Sequence, residues 1–563
     1  MMDIPCDILN QNYLQMKTLI ISFLFVGFIF FTASGQSNLR GSTTGPTTAP
    51  GYNHPNQYLG LQSTPVAENM EPVMLHSAQD KEALAKLQET MKKFGKRPNI
   101  LIFIMDDVGW MDPGFNGGGE AVGNPTPNLD KIALNGLILT SAYSTPSCTP
   151  TRATVMTGQN PLHHGLLRPP MYGEPGGLDG VITMPKILQE LGYVTQGVGK
   201  WHIGENEASQ PQNVGFDDYY GFLGVSDMYT EWRDVYFNPE IALSPLRFTV
   251  MEKSPFSHYN VHCTKEKGVE NTYLIDLASI KDLDQDWTRY SEDFIRNMKN
   301  SDKPWFLYHA TRACHFDNYP NDEYAGKSPA RTVYSDGMVE ADDIFGRLIT
   351  VLKETGQLEN TIIFFTSDNG PESEVPPHGR TPFRGSKGSS WEGGVRVPTF
   401  VYWQGQIPAK RSDGLFDMAD LFNTCISIGG MNSADLSKRV GATHYIDGVD
   451  QTSFWLTDNG QSNRYSRIYT LNEYFSGLRM DEFKYHAVLE LENALFSRGY
   501  TGGFSGSIVT ETGGAVIINL YENPREDVSV GIRHIPLSVM LGAEMNRYKA
   551  VLKKFPPQMK IGF

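Results

Sequence analysis

Pro98-Asn-Ile-Leu-Ile-Phe-Ile-Met105-Asp106-Asp107 decides the fold. From Asn99 to Met105 there is no charge, and then two carboxylates arrive together. An apolar run this short, rich in isoleucine and opened by a proline, reads as a strand buried on both faces, as in parallel sheets. Upstream, Leu84, Leu87, Met91 and Phe94 recur at helical spacing and Gly95 follows as a stop, so a helix precedes the strand.

The same alternation continues downstream. The pattern predicts a helix near Met184 to Leu191, a strand from Tyr193 to Gly197, and another strand from Trp305 to Ala310. A helix from about Gly337 to Lys353 would bury Met338, Ala341, Phe345, Leu348 and Leu352, with Gly356 ending it. Thr361 to Thr366 is again a buried strand. Strands alternating with helices make an α/β protein with a large, mostly parallel sheet sandwiched by helices. From about Gly441 the character changes. Strands at Arg467 to Thr470, Tyr485 to Leu489 and Ala515 to Leu520 have no long helices between them, and a helix near Leu537 to Lys553 closes the chain. This reads as a smaller C-terminal antiparallel sheet with one helix. No internal repeat is visible.

The chain has 563 residues, 40% hydrophobic and 11% aromatic, which excludes wholesale disorder. Its 48 basic against 63 acidic residues give a net charge of −15, which argues against a nucleic-acid partner but allows a local basic pocket. Five cysteines without a CxxC exclude a disulfide scaffold and a zinc ribbon. Leu19 to Phe31 is almost wholly apolar, follows Lys17 and precedes Ala33, Ser34 and Gly35, which is the form of a secretory signal. The run is too short for a good membrane span. An exported protein, periplasmic or secreted and without a stable span after cleavage, is expected. Gln36 to Ser63, rich in small and polar residues, reads as a tether.

In parallel sheets, chemistry gathers beyond the C-terminal ends of strands. Asp106-Asp107, Lys200-Trp201-His202 and Asp368-Asn369-Gly370 each follow a predicted strand. Any one of them could be only a cap or a turn. Together, three carboxylates and an amide oxygen suit calcium or magnesium. Pro146-Ser-Cys148-Thr-Pro150-Thr-Arg152 places Cys148 at a helix start, because Pro150 suits the first turn and Gly158 ends the helix. Arg152 lies one turn on, on the same face. A cysteine so placed could be a low-pKa thiolate or a buried, inert thiol.

Cys148-Thr-Pro150-Thr-Arg152 resembles the C-x-P-x-R signature of type I sulfatases, arylsulfatase-like members of the alkaline phosphatase-like superfamily. The resemblance extends through Thr157 to Gly165, Gly199 to His202, Pro382 to Lys387, Glu392 to Gly394 and Arg396 to Pro398. It implies that Cys148 is converted to formylglycine by a formylglycine-generating maturation enzyme. It also implies that Asp106, Asp107, Asp368 and Asn369, with residue 148, hold one calcium ion. Arg152 would brace the formylglycine, Lys200 and Lys387 would clamp the sulfate oxygens, and His202 would serve the formylglycine hydroxyl. A later histidine would protonate the leaving oxygen. His315 is chosen, although the prolines that usually flank this histidine are missing; His378 is an alternative. His309, His163 and His164 read as structural.

The implied activity is hydrolysis of sulfate monoesters on an aryl or saccharide group. A phosphate or phosphonate monoester hydrolase of the same fold and a catalytically silent carbohydrate-binding relative are the competing readings. The expected division is a signal peptide at 1–35, a linker and N-terminal helix at 36–95, the sulfatase domain at 96–440 and a C-terminal subdomain at 441–563. An aromatic insertion from Phe222 to Cys263, with Tyr229, Trp232, Tyr236 and Phe237, could line a substrate pocket or pack as a surface loop, and Trp391 has similar status.

Overall fold

Asn99–Met105 is buried along its whole length and is a central strand of a ten-stranded sheet. The computed structural model describes residues 63–168, 170, 177–178, 180–224, 245, 256, 258–491 and 508–557. The expected signal, nearly all of the tether and the named aromatics of the insertion lie outside the described residues.

The strand alternates strictly between two cores. Ile100, Ile102 and Ile104 face one, and Leu101, Phe103 and Met105 face the other, as the twofold period of a strand requires. Helices cover both faces. Cys148–Thr157, Met184–Glu190 and Asp420–Gly429 pack on the first, and Leu283–Asn297 and Val333–Glu354 pack on the second.

Five neighbouring strands run parallel, in the order Thr361–Ser367, Asn99–Met105, Trp305–Ala310, Val194–Lys200 and Asp218–Phe222. Antiparallel pairing extends the sheet on both sides. Phe400–Tyr402 joins Thr361–Ser367, and Tyr259–Thr264 and Gly268–Leu274 continue from Asp218–Phe222. The sheet is therefore mixed at its margins and parallel at its centre.

Two expectations shift in detail. The N-terminal helix spans Ser77–Phe94, and Gly95 caps it at φ 70°, but its buried residues are Ala83, Leu87 and Thr90, and Leu84 is 57% exposed. Contacts with the helix Thr452–Leu456 rotate the buried face; Lys86 Nζ donates to the Leu456 carbonyl at 2.6 Å. The strand expected to end at Gly197 runs on through Lys200, so Lys200 is its last residue rather than the start of a loop.

The C-terminal sheet has four antiparallel strands, Arg467–Leu471, Tyr474–Met480, Phe483–Leu491 and Ile508–Asn519. The helix Ser538–Lys554 lays Leu541 and Tyr548 on Ile468, Leu478 and Ile517. Among the described residues, no helix is long and apolar enough to cross a membrane.

Candidate active site

Strand register assembles the site. Met105 lies opposite Ser367, and Ile104 and Gly199 both lie opposite Ala310. The residues that come next, Asp106, Asp368, Lys200 and the loop leading to His315, therefore emerge side by side at the C-terminal edge. Asp107 and His202 both have φ 58°, left-handed positions rare for such residues, of the kind that collects at working sites.

All ten residues proposed from sequence for the site are buried: Asp106, Asp107, Cys148, Arg152, Lys200, His202, His315, Asp368, Asn369 and Lys387. Cys148 opens the helix Cys148–Thr157, whose ten residues are all buried and whose end is set by Gly158 at φ 68°. Thr149 Oγ1 donates to the His202 carbonyl at 2.6 Å, tying this helix to the Lys200 strand end.

The charges interlock. Arg152 donates to Asp368 Oδ2 through Nε at 3.0 Å and Nη2 at 2.7 Å, and through Nη1 to the Lys200 carbonyl at 2.9 Å. Lys200 Nζ rests on Asp106 Oδ2 at 2.5 Å. Lys387 Nζ lies 2.8 Å from Asp107 Oδ1 and 3.2 Å from His315 Nε2. His315 Nε2 is also 3.7 Å from Asp107 Oδ2. Both ring nitrogens of His202 are buried without a protein partner.

Burial raises the Cys148 thiol above its ordinary pKa, against the pull of Lys200 and Lys387. Of the two states left open by the sequence, the enclosed site beside Asp368 and Asp106 favours the buried, neutral thiol. Burial, Lys200 and a second cation (Arg152 for His202, Lys387 for His315) press both imidazoles well below the ordinary histidine value. Burial opposes the charge on Lys387, but Asp107 together with the other acidic neighbours, Asp106 and Glu372 among them, outweighs it and holds the ammonium well above its usual pKa.

The donor set fits a hard divalent ion. Asp106 Oδ1 and Asn369 Oδ1 are buried oxygens without a hydrogen-bond partner, an expensive arrangement unless a cation satisfies them. Asp106, Asp107 and His315 also offer ligand atoms within 4.8 Å of one another. His315 is a nitrogen donor close to a set that the sequence suggested was all oxygen.

A family model for sulfatases matches residues 98–431, more than half the chain. The chain belongs to the sulfatase family. A second model, for the AslA C-terminal sulfatase domain, matches residues 476–553. The PsFucS1 sulfatase from Pseudoalteromonas sp. superposes with a TM-score of 0.82 at 36% identity, over 88% of this chain and 99% of that one. The N-acetylgalactosamine-6-sulfatase of Canis lupus familiaris is 31% identical over 404 residues, 69% of this chain and 71% of that protein. Arylsulfatase G of Homo sapiens is 30% identical over 356 residues, 60% of this chain and 66% of that protein.

This sulfatase is a sulfuric ester hydrolase. Around its site lie residues that sequence reasoning missed. Glu372 is buried near Lys387, and desolvation raises it to about 7. Its only signal was its place two residues after Gly370. Asp112 accepts from Gly109 N at 2.7 Å, Arg380 N at 2.9 Å and Tyr334 OH at 2.8 Å, and so fixes the loop that leads to Lys387. Nothing local marked it. His378, the alternative acid, is half-buried with Nδ1 2.8 Å from the Gly379 carbonyl, in a loop on the wall of a neighbouring cleft.

Proposed function

We propose that this sulfatase hydrolyses sulfate monoesters of a saccharide or aryl alcohol through formylglycine made from Cys148, with one calcium ion. The observation that carries this reading is the packing of three cations and three carboxylates around a buried cysteine at a helix start. The relative named for N-acetylgalactosamine-6-sulfate supports a saccharide.

A sulfate monoester resists attack because its anionic oxygens repel nucleophiles. Lys200 and Lys387 would each take a sulfate oxygen in exchange for part of their contact with Asp106 and Asp107. Arg152, held from two sides by Asp368 and the Lys200 carbonyl, keeps a fixed positive charge one helical turn from residue 148. Preorganised charge of this kind needs little rearrangement during reaction. Asp106, Asp107, Asp368 and Asn369 would hold calcium, which when bound would add positive charge at the sulfate oxygens. Formylglycine would supply a geminal diol, whose second hydroxyl lets the sulfated residue release sulfate; serine or cysteine lacks it. His202 would take the proton from that hydroxyl. His315, its basicity restored by the negative charge of a sulfate seated between Lys200 and Lys387, would protonate the departing alcohol, each transfer contributing about 10²–10⁴-fold. The signal peptide at 1–35 would send the protein to the periplasm or outside the cell, after meeting a formylglycine-generating enzyme.

Turnover of nitrophenyl sulfate, phosphate and phosphonate esters by matured protein tests the reading. Preference for sulfate, lost with Asp106→Ala, supports it; preference for phosphate or phosphonate sinks it.

A further inference from the structure

We infer that the cleft beside Lys387 is a second anion subsite, which binds an additional sulfate on the saccharide whose ester is cleaved. This rests on the reading of the chain as a saccharide sulfatase. The cleft holds about 570 Å³, and its lining includes Arg380, Arg384 and Arg525 against one carboxylate, Asp527. Three arginines lining one cleft in a chain of net charge −15 run against its overall balance. Guanidinium forks match sulfate oxygens in paired hydrogen bonds. Phe383, edge-on to Trp110 at 5.3 Å, adds a half-buried aromatic surface suited to the apolar face of a sugar ring.

The cleft adjoins the reacting centre. Its wall residue Ser386 is bonded to Lys387, and the carbonyl of another, Pro371, accepts the Lys387 N–H at 3.0 Å. A ligand seated here lies against the backbone on both sides of the residue proposed to hold the scissile sulfate, Lys387, whose own side chain is buried behind the wall.

The walls are built from two distant parts of the sequence. On one side, Asp112 fixes Arg380 N, and the Arg380 carbonyl accepts from Met111 N at 3.1 Å. A Cβ on Gly379 would lie 2.4 Å from Asp112 Oδ2, so this close approach requires glycine. On the other side, Arg525 precedes Glu526, which is fully buried. Glu526 pairs with Lys484 at 2.7 Å and accepts the Glu392 N–H at 2.7 Å. Arg384 Nη1 donates to the Glu526 carbonyl at 3.2 Å and its guanidinium covers Trp391 at 4.1 Å. Arg380 and Arg525 are exposed. The C-terminal region thereby contributes a recognition wall to a site whose chemistry comes from the large domain.

The test uses matured full-length protein and a panel of matched disaccharides with one sulfate, or with a second sulfate at each position of the neighbouring sugar. At least one disulfated member should show kcat/KM about tenfold above its monosulfated match, roughly the effect of one charge-assisted hydrogen bond. Arg525→Ala and Arg380→Ala should each pull that ratio towards one, mainly through KM. Equal kcat/KM across the panel, or a ratio indifferent to both substitutions, would overturn the subsite. Calorimetric binding of the same sugars to Cys148→Ala protein separates the two levels. Tighter disulfated binding that Arg525→Ala erases supports the subsite even where nothing is desulfated, a result that would defeat only the saccharide sulfatase reading. Equal binding overturns the subsite even in an active saccharide sulfatase.

Discussion

Cys148 sits where three cations and three carboxylates meet, so each neighbour has a distinguishable effect. The leaving group separates the two histidines. A nitrophenolate departs without a proton, but a sugar alkoxide does not. His315→Ala should therefore lose about 10²-fold or more on sugar sulfates and far less on nitrophenyl sulfate. Equal losses on both would remove His315 from the acid role. His202→Ala should slow both substrates alike and accumulate the sulfated enzyme, seen by intact mass. Away from the site, His309 is stacked on Phe103 at 5.2 Å, and its Nδ1 lies 2.8 Å from Ser291 Oγ. Burial, aided by Arg347, lowers its pKa from 6.5 to about 3. The folded chain refuses a proton that the unfolded chain takes, so the stability contributed by neutral His309 is complete above pH 6.5 and falls away towards pH 3. The advantage of wild type over His309→Asn should shrink as pH falls from about 7.5 to about 5, by up to about 1.4 kcal/mol per unit. Urea midpoints for both proteins at the two values check this, and a constant gap would contradict it. At this scale the sequence was informative where residues sit in contiguous motifs, as Cys148 and Arg152 do. It was silent on Asp112 and Glu372, whose partners are met only after folding.

Strand ends and one loop do most of the positioning. The loop carrying Lys387 is held by the C-terminal sheet: Glu490 accepts from Ser390 N at 2.6 Å, and Lys484 bridges Glu392 at 3.2 Å and Glu526 at 2.7 Å. Tyr143 and Tyr469 donate to the two oxygens of Glu392 at 2.7 and 2.8 Å. Removing one member of such a buried network leaves charges unpaired. Lys484→Ala should cost about 3–5 kcal/mol, read from urea unfolding; a loss below about 1 kcal/mol would show the network to be dispensable. The long parallel strands and the helix Val333–Glu354 were readable because apolar runs and helical periodicity are local. Leu137–Leu139 and Phe400–Tyr402 were not, because three residues carry no period and only their neighbours make them strands. Tyr474–Met480 was missed for a related reason: its apolar pattern is broken by Ser476 and Gly477, and pairing on both sides defines it.

Across the whole molecule, a central parallel sheet delivers the oxygens and Lys200, a helix on one of its faces delivers Cys148 and Arg152, and a loop delivers Lys387. The class of fold was legible because buried strands and periodic helices alternate, and the ten residues proposed for the site are all buried, most of them at strand ends where separate motifs can be assigned. The arginine cleft was not, since Arg380 and Arg525 are far apart in sequence and line one cleft only after folding. The proposed reaction turns on the chemistry of residue 148. Mass spectrometry of its tryptic peptide, from a preparation that turns over nitrophenyl sulfate and has been treated with a hydrazine label, tests it most directly. The expected peptide has lost the Cys148 sulfur and carries the label on a new carbonyl. An active preparation in which Cys148 is wholly an unmodified thiol would contradict it.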